Sequence, residues 1–419
     1  MKKVFGGFFF FILLGLVSAA EITIPRFEMV TLGRIRDDEF SMASAISVDL
    51  ALNGGYKYGL SLGFSFDCDN LAKALAYRNF QFGYLDYLDG SRGTPVEPDE
   101  YNDLAEQINL INDRLNNRGT LSFRTAKATV RELFSLPLEL SFFIGEGDNY
   151  CSGDEFPLRF GVDPIGTDYR GLFYFPQGIG GNISRQYYGI HEAGGTGISL
   201  ALSLWDTVVP MIYIYQSFPS ISSIFGYGTS GAYGESLYSG DLRCLLNLEK
   251  FKMEAFWGLS YNDGFITRGG ILTHFQPIND LEFLFQGGIT GWALDDELTI
   301  DNFFFLMEPR FRFGIFGINT TLFYHPVIYH NILTVQERGK ADINLKMFIQ
   351  IPNTEFTAGI ESTMGLKIDK MEDFSFQAAP FISFLSSGLR WDTKLRVNLT
   401  GTTNLKEMFE LFIGVNTSF

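Results

Sequence analysis

The charged residues best placed to act on a solute lie at alternate positions in tracts of the second half of the chain. In LRWDTKLRVNL, Arg390, Asp392 and Lys394 share one face of an extended chain, whereas Trp391 and Leu395 share the other. Guanidinium and ammonium groups repeated along a water-facing surface attract anionic or polar solutes, and interspersed carboxylates pair with some of them. The residues of this pattern are Asp241, Arg243, Glu308, Arg310, Arg312, Asp342, Lys346, Arg390, Asp392, Lys394 and Arg396.

Motifs for metal or nucleophilic chemistry are scarce. The four histidines form no H-E-x-x-H pattern, and no G-x-S-x-G occurs. In GDNYCSGDE, Tyr150 breaks the calcium-loop pattern, although loose Ca²⁺ binding by the carboxylates stays an alternative. Of the three cysteines, Cys68 and Cys151 could be bridged in an oxidising compartment or remain free. We therefore predict no enzymatic activity and no cofactor, metal or nucleic-acid site.

The elements that must position these charges are β-strands, because apolar residues recur with a period of two. The composition, with 43 Phe, 19 Tyr and 45 Gly, favours strands separated by turns. Roughly a dozen consecutive strands have a strongly apolar face, yet little helical sequence is present to cover them. Lipid can cover those faces instead, and a closed barrel satisfies every backbone hydrogen bond without an edge. A charge facing lipid would cost about 2–4 kcal/mol, so the charged face must meet water.

Short and long connections take turns from about residue 195 onward, which is typical of a barrel with tight turns at one end and long extracellular loops at the other. About 13 strands fit the second half, and the whole chain fits roughly 18, with 16 to 20 plausible. The sequence thus predicts an all-β fold, a transmembrane antiparallel up-and-down β-barrel. The first-half candidates are 43–53, 56–66, 76–85, 119–129 and 136–145, with 26–36 as a possible extra strand.

The two ends of the chain also bear on this prediction. Residues 1–20 have two lysines, an apolar run and Ser-Ala-Ala, the pattern of a secretory signal peptide, which leaves 21–419 as the barrel. The final strand carries alternate apolar residues and ends on an aromatic one. This strand resembles the C-terminal assembly signal of bacterial outer-membrane β-barrel proteins. The resemblance implies insertion into outer-membrane lipid by the barrel assembly machinery, which would bind Phe409, Leu411, Ile413, Val415 and Phe419.

Two insertions interrupt the strands of the first half. Residues 97–117 place apolar side chains at helical spacing and predict a short amphipathic helix, either in a surface loop or folded into the lumen. Residues 146–195 exceed an ordinary connection, and such segments are usually functional or disordered. We prefer an inward-folded constriction for this insertion, with an external loop as the alternative.

A wide barrel with a charged inner face favours a porin-like channel for small hydrophilic solutes, with the alternate charged residues lining the pore. Arg390, Lys394 and Arg396 have only Asp392 beside them on their own strand, so we expect excess positive charge there. The alternative is that the charges pair off and hold a filled, non-conducting barrel together. The other functions considered are an adhesin-like or structural surface protein and a barrel hydrolase. The oligomeric state and the solute are not readable from the sequence.

Overall fold

The computed structural model is a closed barrel of 18 antiparallel strands, as the alternation predicts. Among the described residues, no helix is long and apolar enough to cross a membrane. The structure describes residues 21–36, 39–68, 71, 80–82, 119–169, 190–217, 237–261, 264–325, 340–352, 354–367, 374–400 and 408–417.

The wall strands follow the chain in a meander, and the described residues include one complete short helix. Helix α1 is Glu155–Phe160, and two single-turn 3₁₀ segments lie at Leu133–Ser135 and Ile300–Asn302. The strands are β1 Glu21–Arg36, β2 Glu39–Gly54, β3 Tyr58–Cys68, β4 Phe80–Phe82, β5 Gly119–Val130, β6 Leu138–Gly145, β7 Asn149–Tyr150, β8 His191–Glu192, β9 Gly195–Leu202, β10 Val208–Ser217, β11 Leu237–Asn247, β12 Phe251–Tyr261, β13 Phe265–Ile278, β14 Leu281–Ala293, β15 Phe303–Phe313, β16 Phe316–His325, β17 Lys340–Ile351, β18 Phe356–Lys367, β19 Phe374–Ser386, β20 Leu389–Asn398 and β21 Phe409–Thr417.

The wall closes where the first strand meets the last. Strand β1 pairs with β2 on one side and with β21 on the other, with Leu32 opposite Phe412. A register shift between Thr23 and Arg26 surrounds Pro25, whose missing N–H cannot contribute to the ladder. Because the ends of the sheet pair with each other, no strand edge is left exposed in the wall.

Two first-half strand predictions need revision. The possible extra strand at 26–36 is a full wall strand and begins earlier, at Glu21. Of the candidate at 76–85, the structure describes residues 80–82, which form the three-residue strand β4 and pair in parallel with β5. Strand β3 pairs directly with β5, so β4 does not lie between them in the wall.

Each wall strand has one face outside the barrel and one inside. On β10, Ile212 and Ile214 are 47% and 61% exposed, whereas Met211 and Tyr213 are each 1% exposed. Strand β20 repeats the pattern with exposed Leu395 beside buried Lys394. The outward side chains form the apolar surface that a lipid bilayer requires, so the predicted orientation of the apolar faces is confirmed.

The connections differ in length at the two ends of the barrel. Tight turns join β2 to β3, β13 to β14, β15 to β16 and β19 to β20, and β21 ends at this same side. Several longer connections at the other end, and the predicted 97–117 helix, lie outside the described residues. So does the candidate signal segment 1–20. The insertion between β6 and β9 is described over 146–169 and 190–194.

Two facing glycines turn the insertion into the barrel. Strands β6 and β9 pair as far as Gly145 opposite Gly195, and both glycines have positive φ, +94° and +138°. A Cβ on Gly145 would overlap the carbonyl oxygen of Arg124, and one on Gly195 would overlap that of Gln216. The chain then continues as the two-residue ribbon β7–β8, in a separate sheet from the wall. Glycine is required here because both the conformation and the close approach exclude a side chain.

We expect Gly195→Ala to destabilise the folded barrel by about 1–3 kcal/mol, since alanine adds strain and a steric overlap at the hinge. The measurement is the midpoint of urea unfolding, followed by the loss of the heat-modifiable band in gel electrophoresis. Gly264→Ala is the matched control, because a Cβ there meets nothing within 4 Å. Equal midpoints for the two variants would contradict the role of Gly195.

Candidate functional site

An apolar core lies between the insertion and the inner wall. Tyr150, Phe156, Ile165 and Ile190 of the insertion are at most 2% exposed. They belong to one cluster with inward side chains from β10 to β16. The wall residues of this cluster are Phe143 on β6, Ala201 on β9 and, from β10 to β16, Val209, Met211, Tyr213, Tyr215, Leu245, Phe256, Leu272, Leu284, Phe304, Leu306 and Phe323. The insertion therefore folds inward, as preferred, and is packed against one side of the lumen rather than suspended in it.

A buried carboxylate on β12 holds the first part of the insertion. Glu254 accepts hydrogen bonds from the backbone N–H of Cys151 and, at 3.0 Å, from that of Gly153. Arg243 lies 2.7 Å from the same carboxylate and donates to the carbonyl oxygen of Asn149 at 3.0 Å. Both side chains are fully buried, so their charges are balanced by each other and by the insertion backbone.

A second carboxylate–arginine pair holds residues 166–168 of the insertion. Glu308 accepts from the Thr167 hydroxyl at 2.5 Å and from the Asp168 backbone N–H at 3.2 Å. Arg310 donates to Glu308 at 2.7 Å and to the carbonyl oxygen of Gly166 at 2.7 Å. Charge-assisted hydrogen bonds of this kind are about twice as strong as neutral ones. The two pairs together fix the insertion at points more than a dozen residues apart along the chain.

Polar side chains also tie the insertion to the wall nearer the hinge. Lys127 lies 2.6 Å from Asp148, and Tyr213 donates to the same carboxylate at 2.8 Å. Enclosure raises the pKa of Asp148, but the attraction of Lys127 and Arg243 outweighs it, so the pKa lies below its usual value. Asp148 is therefore a permanent anion at neutral pH.

An aromatic and polar cluster surrounds His191 on β8. Its Nε2 lies 3.1 Å from the hydroxyl of Tyr215, which donates to Asp241 at 2.7 Å. Arg268 approaches Asp241 to 2.5 Å and neutralises it. Burial and the nearby Arg268 hold the pKa of His191 well below its usual value, so the imidazole is neutral. The cluster braces the ribbon and offers no exposed nucleophile.

A cavity of about 750 Å³ remains between the insertion and the rest of the wall, toward the tight-turn end. Basic side chains from the wall form one side, and Asp154 and Asp168 of the insertion lie on the other. Phe348 and Phe381 lie among the basic residues. The cations that line the cavity are Arg26, Arg310, Arg312, Lys346, Arg390 and Lys394, and the wall acids are Glu28 and Asp392.

Some of these cations have carboxylate partners and others do not. Arg26 pairs with Glu28 at 3.0 Å, and Lys394 pairs with Glu361 at 2.8 Å. Within the part of the chain that the structure describes, Arg312, Lys346 and Arg390 form no ion pair within 4 Å. Arg312 donates to Asn319 at 2.7 Å and lies 5.0 Å from the Phe348 ring centroid. Lys346 lies 5.2 Å from the Phe381 centroid. These three residues leave net positive charge on the cavity wall.

The structure separates the predicted charged residues into two groups. Six of them come together around the cavity: Arg310, Arg312, Lys346, Arg390, Asp392 and Lys394. Asp241, Arg243, Glu308, Asp342 and Arg396 face inward but do not line it. Arg243 and Glu308 hold the insertion, and Arg396 is paired with Glu410 on β21.

The expected excess of positive charge on β20 is reduced by neighbouring strands. Lys394 has its partner on β18 and Arg396 has its partner on β21, and neither pairing is visible in a single strand. Of those three cations, Arg390 alone has no ion pair among the described residues. Arg312 and Lys346, from other strands, supply the rest of the positive charge.

Several other predicted residues can be placed. Cys68 and Cys151 are both buried and form no disulfide, so the alternative of a bridge is not realised. Phe409, Leu411 and Ile413 point outward at 40–44% exposure, whereas Val415 is 3% exposed, and Phe419 lies outside the described residues. Within the described ranges, no group of three or more His, Cys, Asp or Glu side chains could hold a metal ion.

Comparison with solved structures identifies the fold. The Acinetobacter baumannii protein OccAB2 matches at a TM-score of 0.50 and 11% identity, over 97% of this chain and 99% of its own. OccAB3 from the same organism matches at 0.50 and 9% identity, over 96% and 100%. The outer membrane protein OpdK from Pseudomonas aeruginosa has a TM-score of 0.47 at 9% identity, over 95% and 98%. This is the fold of a porin-like outer-membrane barrel. No family model and no curated protein matches the sequence.

Arg243, Glu308 and Arg310 were predicted to face inward but not to hold the insertion, and three further residues that hold it were not predicted. Glu254, Gln286 and Asn319 each bond to it, Gln286 through the carbonyl oxygen of Cys151 at 2.5 Å. A signal was available on the wall strands that face the insertion. Phe304 and Leu306 lie between outward phenylalanines, so β15 is apolar on both faces for part of its length. Apolar residues on the inner face indicate a packed protein segment, because water would not cover them favourably.

Proposed function

We propose that this chain is a porin-like channel of the bacterial outer membrane that admits small hydrophilic solutes, with a preference for anions. The observation that carries the proposal is the cavity that remains beside the docked insertion, where Arg312, Lys346 and Arg390 line the wall without an ion pair to any described residue. Unpaired charge on a confined aqueous surface sets up a field that selects ions by sign. The 18-stranded wall is wide enough to hold both the insertion and an aqueous path.

The insertion acts as a constriction in this proposal. It packs against β6 and β9 to β16 and leaves a cavity that is lined by β15, β17 to β21 and β1. The acids Asp154 and Asp168 face basic side chains across the cavity. A solute that crosses there meets both signs of charge at short range, so polar groups are favoured over apolar ones.

A second candidate, a structural or adhesin-like barrel that does not conduct, is favoured by one observation. The core between the insertion and the wall is closed to solvent, with several side chains at 0–2% exposure. In that case the cavity would be a closed space. The two candidates differ in permeability and not in fold.

Proteoliposome swelling separates the two candidates. We expect swelling with small polar solutes, faster for an anionic sugar acid than for a neutral sugar of similar size. Liposomes with no protein and liposomes with the heat-denatured chain are the controls. A folded barrel that gives no swelling above these controls would favour the non-conducting candidate.

The final strand is proposed as the segment presented to the barrel assembly machinery. Phe409, Leu411, Ile413 and Val415 provide the alternate apolar positions, and Phe419 the terminal aromatic. The periplasmic side would then be the tight-turn end, where β21 ends.

We expect deletion of Phe419 to lower the folded fraction of the chain recovered from outer membranes, because the assembly signal loses its aromatic end. Heat-modifiable mobility of the membrane-extracted chain measures that fraction. Phe313→Ala, which removes an exposed aromatic from the tight-turn end of β15, is the matched control. Unchanged recovery after the deletion would leave Phe419 without a role in assembly.

A further inference from the structure

Asp168 occupies an unusual position for an acidic side chain of the insertion. Its carboxylate accepts a hydrogen bond from the amide of Asn319 at 3.0 Å and lies 3.9 Å from Nε of Arg310. The side chain is 46% exposed and lines the cavity. It therefore faces the solute-accessible space while being attached to the wall.

The backbone on both sides of Asp168 is fixed. Glu308 accepts hydrogen bonds from the Thr167 hydroxyl and the Asp168 N–H, and Arg310 donates one to the carbonyl oxygen of Gly166. On the C-terminal side of Asp168, the Tyr169 hydroxyl lies 3.1 Å from the hydroxyl of Thr363 on β18. Because these contacts fix the backbone, the carboxylate loses little additional conformational entropy in this position.

Four cations of the wall act on this one carboxylate. Enclosure raises the pKa of Asp168, but attraction by Arg310, Lys346, Arg312 and Arg390 outweighs it and leaves the pKa below its usual value. The cations come from three strands, β15, β17 and β20. A negative group at this point is thus stabilised by the same side chains that would stabilise the anionic group of a solute.

We propose that Asp168 is a tethered counter-ion: its carboxylate, which lies beside Arg310 and Asn319, belongs to an anion subsite in the cavity that Arg312, Lys346 and Arg390 line, and an anionic solute must compete with it. This inference rests on the proposed function for its biological meaning, but the subsite itself is a property of the folded chain. Asp168 is then a specificity-determining residue that weakens the binding of anions and keeps the passage from holding them too tightly. Conduction requires such weak binding, since a solute that binds must also leave.

The test is binding of inorganic phosphate to the full-length chain in detergent, measured by calorimetry. Asp168→Asn keeps the shape and the backbone contacts while removing the charge, and we expect it to tighten phosphate binding about tenfold. Asp168→Glu retains the charge and should bind phosphate like the wild type. Asp163→Asn is the matched control, because Asp163 is exposed on the same insertion and does not line the cavity. Asp168→Ser provides the same comparison if the asparagine variant does not fold.

Two results would overturn the inference: equal phosphate affinity of wild type and the neutral variants, or weaker binding by the neutral variants. Absence of phosphate binding in every variant would overturn it as well, since the subsite would not exist. The phosphate concentration that halves the conductance of the chain in a planar bilayer tests the same competition during conduction. A chain that binds phosphate as expected but conducts nothing would refute the proposed function and leave the role of Asp168 intact.

Discussion

Replacing Lys346 and Arg390 together by glutamate should convert the channel from anion-preferring to cation-preferring. Both side chains line the cavity, and neither forms an ion pair within the described residues. Two unit charges about 4 Å apart interact by about 4 kcal/mol at the effective dielectric of a protein surface. Reversing two such charges should therefore shift the permeability ratio of chloride to potassium by at least about tenfold.

Reversal potential in a salt gradient measures this change. Lys57→Glu with Lys250→Glu is the matched control, because it reverses the same number of positive charges on exposed tight turns outside the cavity. If the two double variants had the same reversal potential, then Lys346 and Arg390 would not border the conducting path. Raising the ionic strength should reduce the difference between them, since screening shortens the reach of each charge.

Removing the Glu254 carboxylate should release the first part of the insertion from the wall. Glu254→Ala abolishes two backbone hydrogen bonds and leaves Arg243 buried without its partner. Breaking a buried pair in this way costs about 3–5 kcal/mol. Because the insertion can leave the wall while the barrel persists, we expect the cost to appear as local opening.

The thiol of Cys151 reports that opening. It is fully buried in the folded chain, and burial raises its pKa well above the usual value, so its reaction with a soluble maleimide should be slow. In a Cys68→Ala, Cys244→Ala background, Glu254→Ala should raise the labelling rate of Cys151 at least about a hundredfold, which corresponds to about 3 kcal/mol. Glu249→Ala, on the exposed turn between β11 and β12, is the control. Equal labelling of both variants would show that Glu254 does not hold the insertion.

The wall of the barrel could be predicted because its signal is local. In β20, Trp391 and Leu395 alternate with Arg390 and Lys394, and the period of two alone determines which face meets lipid. The first half was less certain, since β1 contains Pro25 and a register shift that interrupt the pattern. The 76–85 tract has the composition of a strand, yet its described residues 80–82 form only the short strand β4, because pairing partners and not composition decide which tracts span.

The site depends on contacts between distant parts of the chain, and these carry no local signal. Lys394 and Glu361 are 33 positions apart, and Cys151 and Glu254 are 103 apart. A single strand therefore cannot show which cations are neutralised and which remain. The inward fold of the insertion was predicted from the length of the insertion alone. Phe304 and Leu306 on the inner face of β15 are a second signal, because they indicate that a protein segment packs against that face.

Single-channel recording tests the central claim most directly, namely that the barrel conducts through the cavity beside its docked insertion. The purified, refolded chain in a planar bilayer should give discrete conductance steps with a reversal potential of the sign expected for anion preference. Heat modifiability of the same sample establishes that the barrel is folded. A folded barrel that inserts into the bilayer and gives no steps, or gives steps with clear cation preference, would contradict the account.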